Sequence, residues 1–145
     1  MNIGSLLAIK GSTVITIASD ETVRGAIALL AEHNIGALVV VDGSAAPVGI
    51  VSERDIVRAA AKTEAMFTTA ISSIMTRQVI IGLPQDDLAS VGHTMTERRI
   101  RHLPVMEGGR LVGMVSLGDI VKAQRDTFEG ELETLQTQLM ADHVR

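Results

Sequence analysis

One run of residues occurs twice in this chain, and the repetition constrains the fold more than any other feature. Gly49-Ile50-Val51-Ser52-Glu53-Arg54-Asp55-Ile56 returns as Gly113-Met114-Val115-Ser116-Leu117-Gly118-Asp119-Ile120. In each copy an apolar, β-branched-rich run passes through a serine to an acid three places on. An apolar and basic stretch follows, which reads as a strand handing over directly to a helix. The duplication reaches well beyond this junction. With Val14 laid over Val79, Val23 falls on Leu88, Glu32 on Glu97, Ile35 on Ile100, Leu38 on Leu103 and Val40 on Val105. The register slips by one residue in the turn around Ser44 to Pro47, as a duplicated structural unit permits.

Each unit reads strand, helix, strand, strand, helix. In the first, Val14 to Ile17 is a strand, and Ser19 or Asp20 caps a helix to about Asn34. Ala37 to Val41 is a buried strand, Asp42-Gly43 turns into Val48 to Val51, and a helix runs from Ser52 to about Ala61. In the second, Val79 to Ile81 is a strand, a helix runs from about Gln85 to Arg98, and strands follow at about Leu103 to Met106 and Leu111 to Val115. Ile3 to Ile9 and Ile71 to Met75 are matching lead-in helices. The predicted division is a first unit over 1–62, an aperiodic linker over 63–69, a second unit over 70–125 and a C-terminal helix over 126–145. In that last segment Phe128, Leu132, Leu135 and Leu139 follow a four-three-four spacing. This is a coiled-coil-like seam about two heptads long, too short to be stable alone. It suits either packing on its own domain or dimerisation.

At 145 residues and 46% hydrophobic content the chain can bury a core. A net charge of −4 opposes general binding to nucleic acid or anionic membranes. With no cysteine there is no disulfide, thiolate zinc site or cysteine nucleophile. Phe67 and Phe128 are the only aromatic residues, so a bound flat ring would have to lie between aliphatic side chains. No apolar run approaches the roughly 20 residues of a membrane helix, and Met1 to Lys10 lacks the features of a secretory signal. The expectation is a soluble, cytoplasmic protein.

Serine followed three residues later by an acid is a capping-box pattern that satisfies free N–H groups at a helix start. The same acid can instead accept hydrogen bonds from both hydroxyls of a ribose cis-diol. The helix N-terminus beside it suits a phosphate, and Arg54 could add a charge-assisted contact. Both readings are open at this point.

Two copies of Gly-x-Val-Ser-x-x-Asp-Ile, each preceded by an apolar hairpin, resemble a tandem pair of CBS domains, named for cystathionine β-synthase. The stretch Ile100-Arg101-His102-Leu103-Pro104-Val105 also resembles that family's second strand. The resemblance covers about residues 10 to 124. It implies an α/β (α+β) fold of two pseudo-twofold βαββα units with two clefts between them. It also implies adenosyl ligands (AMP, ATP or NAD(H), with S-adenosylmethionine possible) and regulation of a partner protein. Carried over residue by residue, Asp55 and Asp119 would hold ribose hydroxyls, with Ser52 and Ser116 beside the ribose or phosphate. Val14, Ile15, Val79, Ile80, Ala37 and Leu103, with Pro104 in the same strand, would wall the adenine. Arg101 and His102 would meet phosphate. Gly36 and Ala37 stand where the second unit has Arg101 and His102, so the two sites are expected to be unequal. Arg98 and Arg99 read more simply as a solvated helix end.

Catalysis is not expected. His33, His93, His102 and His143 occur in no nucleophile or zinc spacing, and no phosphate-binding glycine loop is present. The rival to a ligand sensor is a dimerising scaffold. A second rival is a nucleic-acid-linked regulator using the patch from Arg98 to His102, which the acidic balance opposes. The resemblance further implies a homodimer acting on a separate protein, since little chain follows the second unit.

Overall fold

The structure is a computed structural model that describes residues 1–44 and 46–144. Ala45 in the predicted turn, Arg145 at the end of the predicted tail and the side chains of His143 and Val144 lie outside the described residues. The first unit holds β1 (Thr16–Ala18), α2 (Val23–His33), β2 (Ala37–Val41), β3 (Gly49–Ser52) and α3 (Glu53–Lys62), preceded by α1 (Ile3–Lys10). The second holds α4 (Leu88–Glu97), β4 (His102–Glu107), β5 (Arg110–Ser116) and α5 (Leu117–Val144). Strands β1, β2 and β3 form one sheet in that order, β1 parallel and β3 antiparallel to β2. β4 and β5 form a separate antiparallel pair.

Two helix starts differ from expectation because a later residue offers the better cap. Thr22, not Ser19 or Asp20, caps α2 by accepting from the Gly25 N–H, and Asp87 caps α4 by accepting from Ser90. The predicted strand over 79–81 does not form. Gly82 alone makes the parallel contact to β4, donating to the Pro104 carbonyl and accepting from the Met106 N–H, each at 2.9 Å. The next rung would need an N–H from residue 104 toward Ile80. In the first unit Val39, the counterpart of Pro104, supplies that bond to the Ile15 carbonyl at 3.3 Å. Proline has no N–H to give, so the ladder stops after one rung.

The lead-in segments are exchanged between the halves. Ile3, Leu6 and Leu7 pack into one core with Leu88, Met95, Leu103, Val115 and Ile120 of the second unit. Ile71 and Met66 pack into the other core with Val23, Leu38, Val40 and Val51 of the first. Backbone bonds repeat the crossing. Ile3 and Gly4 donate to Asp86 and Pro84, while Ile71 and Ser72 donate to Glu21 and Ser19. The glycine that opens each copy of the duplicated motif permits this. A Cβ on Gly49 would lie 2.5 Å from the Met75 sulfur and 3.0 Å from the Thr76 carbonyl. A Cβ on Gly113 would lie 2.7 Å from the Leu7 methyls. Only a residue without a side chain lets the visiting segment approach this closely.

The predicted linker is also part of the core. Residues Glu64–Thr68 form a 3-10 helix with Met66 buried, and the Arg24 guanidinium lies 5.0 Å from the centre of the Phe67 ring. At the other end, the predicted tail is not a separate helix. It continues α5 without a break for 28 residues, of which Ile120 and Ala123 sit in the second core. A helix already nucleated by packing needs no independent start, so a two-heptad extension is stable where a free peptide would not be.

Candidate functional site

Both copies of the Ser-x-x-Asp pair cap their helices. At α3 the Asp55 Oδ2 accepts from the Ser52 N–H (2.9 Å) and hydroxyl (3.1 Å), and the Asp55 N–H donates to Ser52 Oγ (3.3 Å). At α5 the Asp119 Oδ2 accepts from the Ser116 N–H (2.9 Å), and the Asp119 N–H donates to Ser116 Oγ (3.1 Å). Each acid also meets the lead-in segment lent by the other half. The Thr76 hydroxyl donates to Asp55 Oδ1 at 3.2 Å. Lys10 Nζ, at the end of α1, donates to Asp119 Oδ2 at 2.7 Å and to the Met114 carbonyl at 2.7 Å.

Two clefts lie at these junctions, and each is composite. The larger, about 830 Å³, combines Ile50, Ser52, Arg54 and Asp55 of the first unit with Gln78, Ile80, Arg99, Ile100, Arg101 and His102 of the second. The smaller, about 340 Å³, combines Val14, Ile15, Asn34, Ile35 and Ala37 of the first with Met114, Ser116 and Asp119 of the second, and Lys10 also lines it. The apolar wall of one unit thus faces the acid of the other. His102 borders both clefts, as do Gly36 and Ser116.

Most residues singled out from sequence converge on this region. Three do not line either cleft. Leu103 and Pro104 are buried on opposite faces of β4, Leu103 within the second core. Val79 lies half-buried outside both linings. Arg98, which caps α4, and Arg99 are both exposed, as a solvated helix end requires, and Arg99 in addition lines the larger cleft. Arg99 also holds a φ of 56°, in the left-handed region where the first unit has Asn34 at 51°. Asparagine tolerates that conformation and a Cβ-branchless long chain gains nothing from it. His33 and His93 are exposed, in line with the surface positions expected of them.

Sequence reading did not assign Lys10, Thr76, Arg58, Lys122 or Arg125 to a site; Arg58 lies one turn beyond Asp55 on α3, and the others arrive from α1, the lead-in to the second unit and α5. With these the electrostatics of the clefts diverge. Arg54, Arg58, Arg99, Arg101, Lys122 and Arg125 line the larger one against the two carboxylates Glu53 and Asp55. Such an excess in a concave site attracts multiply charged anions, in a chain whose net charge is −4. In the smaller cleft the only lysine or arginine in the lining, Lys10, is already committed to Asp119. Burial works to raise the Asp119 pKa, but the bonds from Lys10 and Ser116 outweigh it and hold the carboxyl below its ordinary 3.8.

The CBS domain family model matches residues 9–62 and 71–126, one span for each half of this pseudo-twofold arrangement. The chain belongs to the CBS domain family. A solved CBS-domain containing protein from Agrobacterium tumefaciens is 38% identical, with a TM-score of 0.82 over 86% of this chain and 99% of that one. The CBS domain pair of protein MJ0100, solved with 5′-methylthioadenosine and S-adenosyl-L-methionine, is 30% identical, with a TM-score of 0.77 over 88% of this chain and 98% of that one. A mitochondrial CBS domain-containing protein of Arabidopsis thaliana is 34% identical over 130 residues, which are 86% of this chain and 63% of that protein. CBS pairs of this kind are generally regulatory ligand-binding modules and typically not catalytic. Among the described residues no helix is long and apolar enough to cross a membrane.

In this CBS pair the shared histidine makes stability depend on pH. Burial, aided by the neighbouring Arg101 charge, lowers the His102 pKa below its ordinary 6.5. The unfolded chain therefore binds the proton first. The contribution is intact above pH 6.5 and is lost as pH falls from there toward the folded value. Melting temperatures taken from about pH 7.5 down to about 5.5 should fall, and His102→Gln should remove part of that fall. An identical slope in the variant would assign the pH dependence to other groups.

Proposed function

We propose that the chain is a regulatory module whose larger cleft takes an adenine nucleotide, with Asp55 on the ribose hydroxyls and the phosphates among Arg99, Arg101 and the cations of α3 and α5. The observation that carries this reading is the composite lining, in which the Ser52/Asp55 pair of one unit faces Ile80 and the Arg99 to His102 stretch of the other. An aliphatic wall, a diol acceptor and six cations in one concavity match the three parts of a nucleotide. Thr76 holds Asp55 Oδ1 through a single hydroxyl, which a ribose hydroxyl can replace in kind.

Charge ranks the ligands. ATP and NAD(H), with more than one phosphate, suit this cleft better than AMP, and AMP better than an uncharged adenosyl compound. S-adenosylmethionine, with its positive sulfonium, fits the larger cleft least. The smaller cleft, with Lys10 on its acid and no free arginine, suits an uncharged adenosyl ligand or none. As in CBS pairs generally, occupancy would alter the surface offered to a partner protein. A homodimer in the cytoplasm, without catalytic activity, completes the reading.

A thermal-shift panel of ATP, NAD(H), AMP, 5′-methylthioadenosine, S-adenosylmethionine and inorganic triphosphate tests this. At a hundred times its dissociation constant the specific ligand stabilises by about 2.7 kcal/mol. ATP must exceed triphosphate, otherwise the cleft reads charge alone. Asp55→Asn should lose the ATP response and Asp119→Asn should keep it; equal responses would refute the assignment to the larger cleft.

One observation favours a second reading. Both acids already serve their own helix starts, as a ligand-free scaffold would require. No response to any nucleotide in the panel would leave that scaffold. A nucleic-acid role for the Arg98 to His102 patch is weaker, because Arg99 and Arg101 line a concave cleft beside Glu53 and Asp55.

A further inference from the structure

The acids of the two motif copies have matching backbone surroundings but are held by different chemistry. In the first unit Thr76, lent by the other half, serves two acceptors with two separate donors. Its N–H donates to the Ile50 carbonyl at 2.8 Å, and its hydroxyl donates to Asp55 Oδ1 at 3.2 Å. In the second unit the counterparts of Ile50 and Asp55 are Met114 and Asp119. There a single group, the Lys10 ammonium, serves both, at 2.7 Å to the Met114 carbonyl and 2.7 Å to Asp119 Oδ2.

This difference controls how easily a ribose reaches each acid. A diol arriving at Asp55 displaces one neutral hydroxyl, and Thr76 keeps its backbone bond to Ile50 when that hydroxyl turns away. A diol arriving at Asp119 must displace a charge-assisted bond, roughly twice as strong as a neutral one. The same ammonium holds the Met114 carbonyl, so moving it disturbs both bonds. A phosphate could draw the ammonium off, but Asp119 would then face the ligand's negative charge with no other lysine or arginine in the lining. Lys10 is also delivered by the fold. It is the last residue of α1, which Ile3, Leu6 and Leu7 fix in the second core.

We propose that Lys10 is an internal stand-in for the sugar, closing the smaller cleft to nucleosides and leaving the chain with one working nucleotide site. This rests on the reading of the duplicated acids as diol acceptors, and deepens it by naming the residue that makes the two clefts unequal. The side chains of Lys10 and Asp119 are 32% and 28% exposed, so water screens their contact only in part. Removing the charge at residue 10 frees an acid that already faces the aliphatic wall of Val14, Ile15 and Ala37. The result is a second nucleoside site built entirely from residues already in place.

Calorimetric titration of the full chain with 5′-methylthioadenosine, an uncharged nucleoside, tests this. Lys10→Met keeps most of the side-chain length and removes the charge. It should bind the nucleoside about tenfold more tightly than the unaltered chain does, and adding Asp119→Asn should abolish the gain. Lys10→Ala should show the same gain with a different side-chain volume, whereas Lys10→Arg, which keeps the charge, should show none. Thermal melts establish that each variant is folded. No gain in either uncharged variant, or an equal gain in Lys10→Arg, overturns the proposal. ATP titrated into the same preparations reads the larger cleft separately. If ATP binds through Asp55 and Lys10→Met gains nothing, the proposal falls and the nucleotide reading of the larger cleft stands. If ATP does not bind but an Asp119-dependent gain is seen, that reading falls and the role of Lys10 stands.

Discussion

Shortening Ile71 to alanine is expected to loosen the first half of the chain, although Ile71 stands beyond it in sequence. Its side chain is fully buried, in the core made by Val23, Leu38, Val40 and Val51. Removing a large aliphatic side chain from such a site costs about 2–5 kcal/mol through lost burial and the cavity left behind. Against a typical total of about 5–15 kcal/mol, that is a large share of stability. Urea unfolding should show the loss, and native-state hydrogen exchange should locate it at the amides of α2, β2 and β3. Ile3→Ala should produce the mirror result in α4, β4 and α5, where Ile3 is equally buried. Loss of protection in the half that follows each substituted residue in sequence would contradict the exchange.

Replacing Arg99 with asparagine should raise stability and weaken ligand binding at the same time. Arg99 holds a φ of 56°, in a region that disfavours an ordinary side chain by about 1–2 kcal/mol. Its counterpart Asn34 meets the same geometry with a residue that accepts it more readily. The arginine is also part of the cationic lining opposite Asp55. A hydrogen bond to a charged group is worth about 1.5–3 kcal/mol when buried, and solvent in an open cleft reduces this. Affinity for ATP should therefore fall about tenfold, with the melting temperature of the unliganded chain slightly higher. Titration calorimetry and thermal melts on one preparation check both. Movement of both quantities in the same direction would remove the functional account of the strained backbone.

These two expectations differ in how far sequence could have reached them. The duplicated motif, its helix caps and the β-hairpins before it are local patterns, and each is found where spacing predicts it. Pro104 is a partial exception. Its missing N–H was visible in the sequence, but its consequence for residues 79–81 needed the neighbouring strand in view. Arg99 is exposed at a helix end, as its sequence reading expected, but that ordinary explanation hid its place in a cleft. Only its positive φ and the position of α5 opposite make it part of a cleft.

By itself the sequence determined that the chain is a twinned unit with one acid at each of two helix starts. It also determined the family, because a cap depends on residues three places apart and a repeat can be read directly from the order of residues. The tertiary structure alone decided which wall faces which acid, and that Lys10 and Thr76 cross over to hold them. The physical reason is the duplication. Two similar halves offer similar apolar patterns to a lead-in segment, so its hydrophobic spacing fits either core. Only the packing of the whole chain, with Gly49 and Gly113 open to Met75 and Leu7, selects the crossed arrangement.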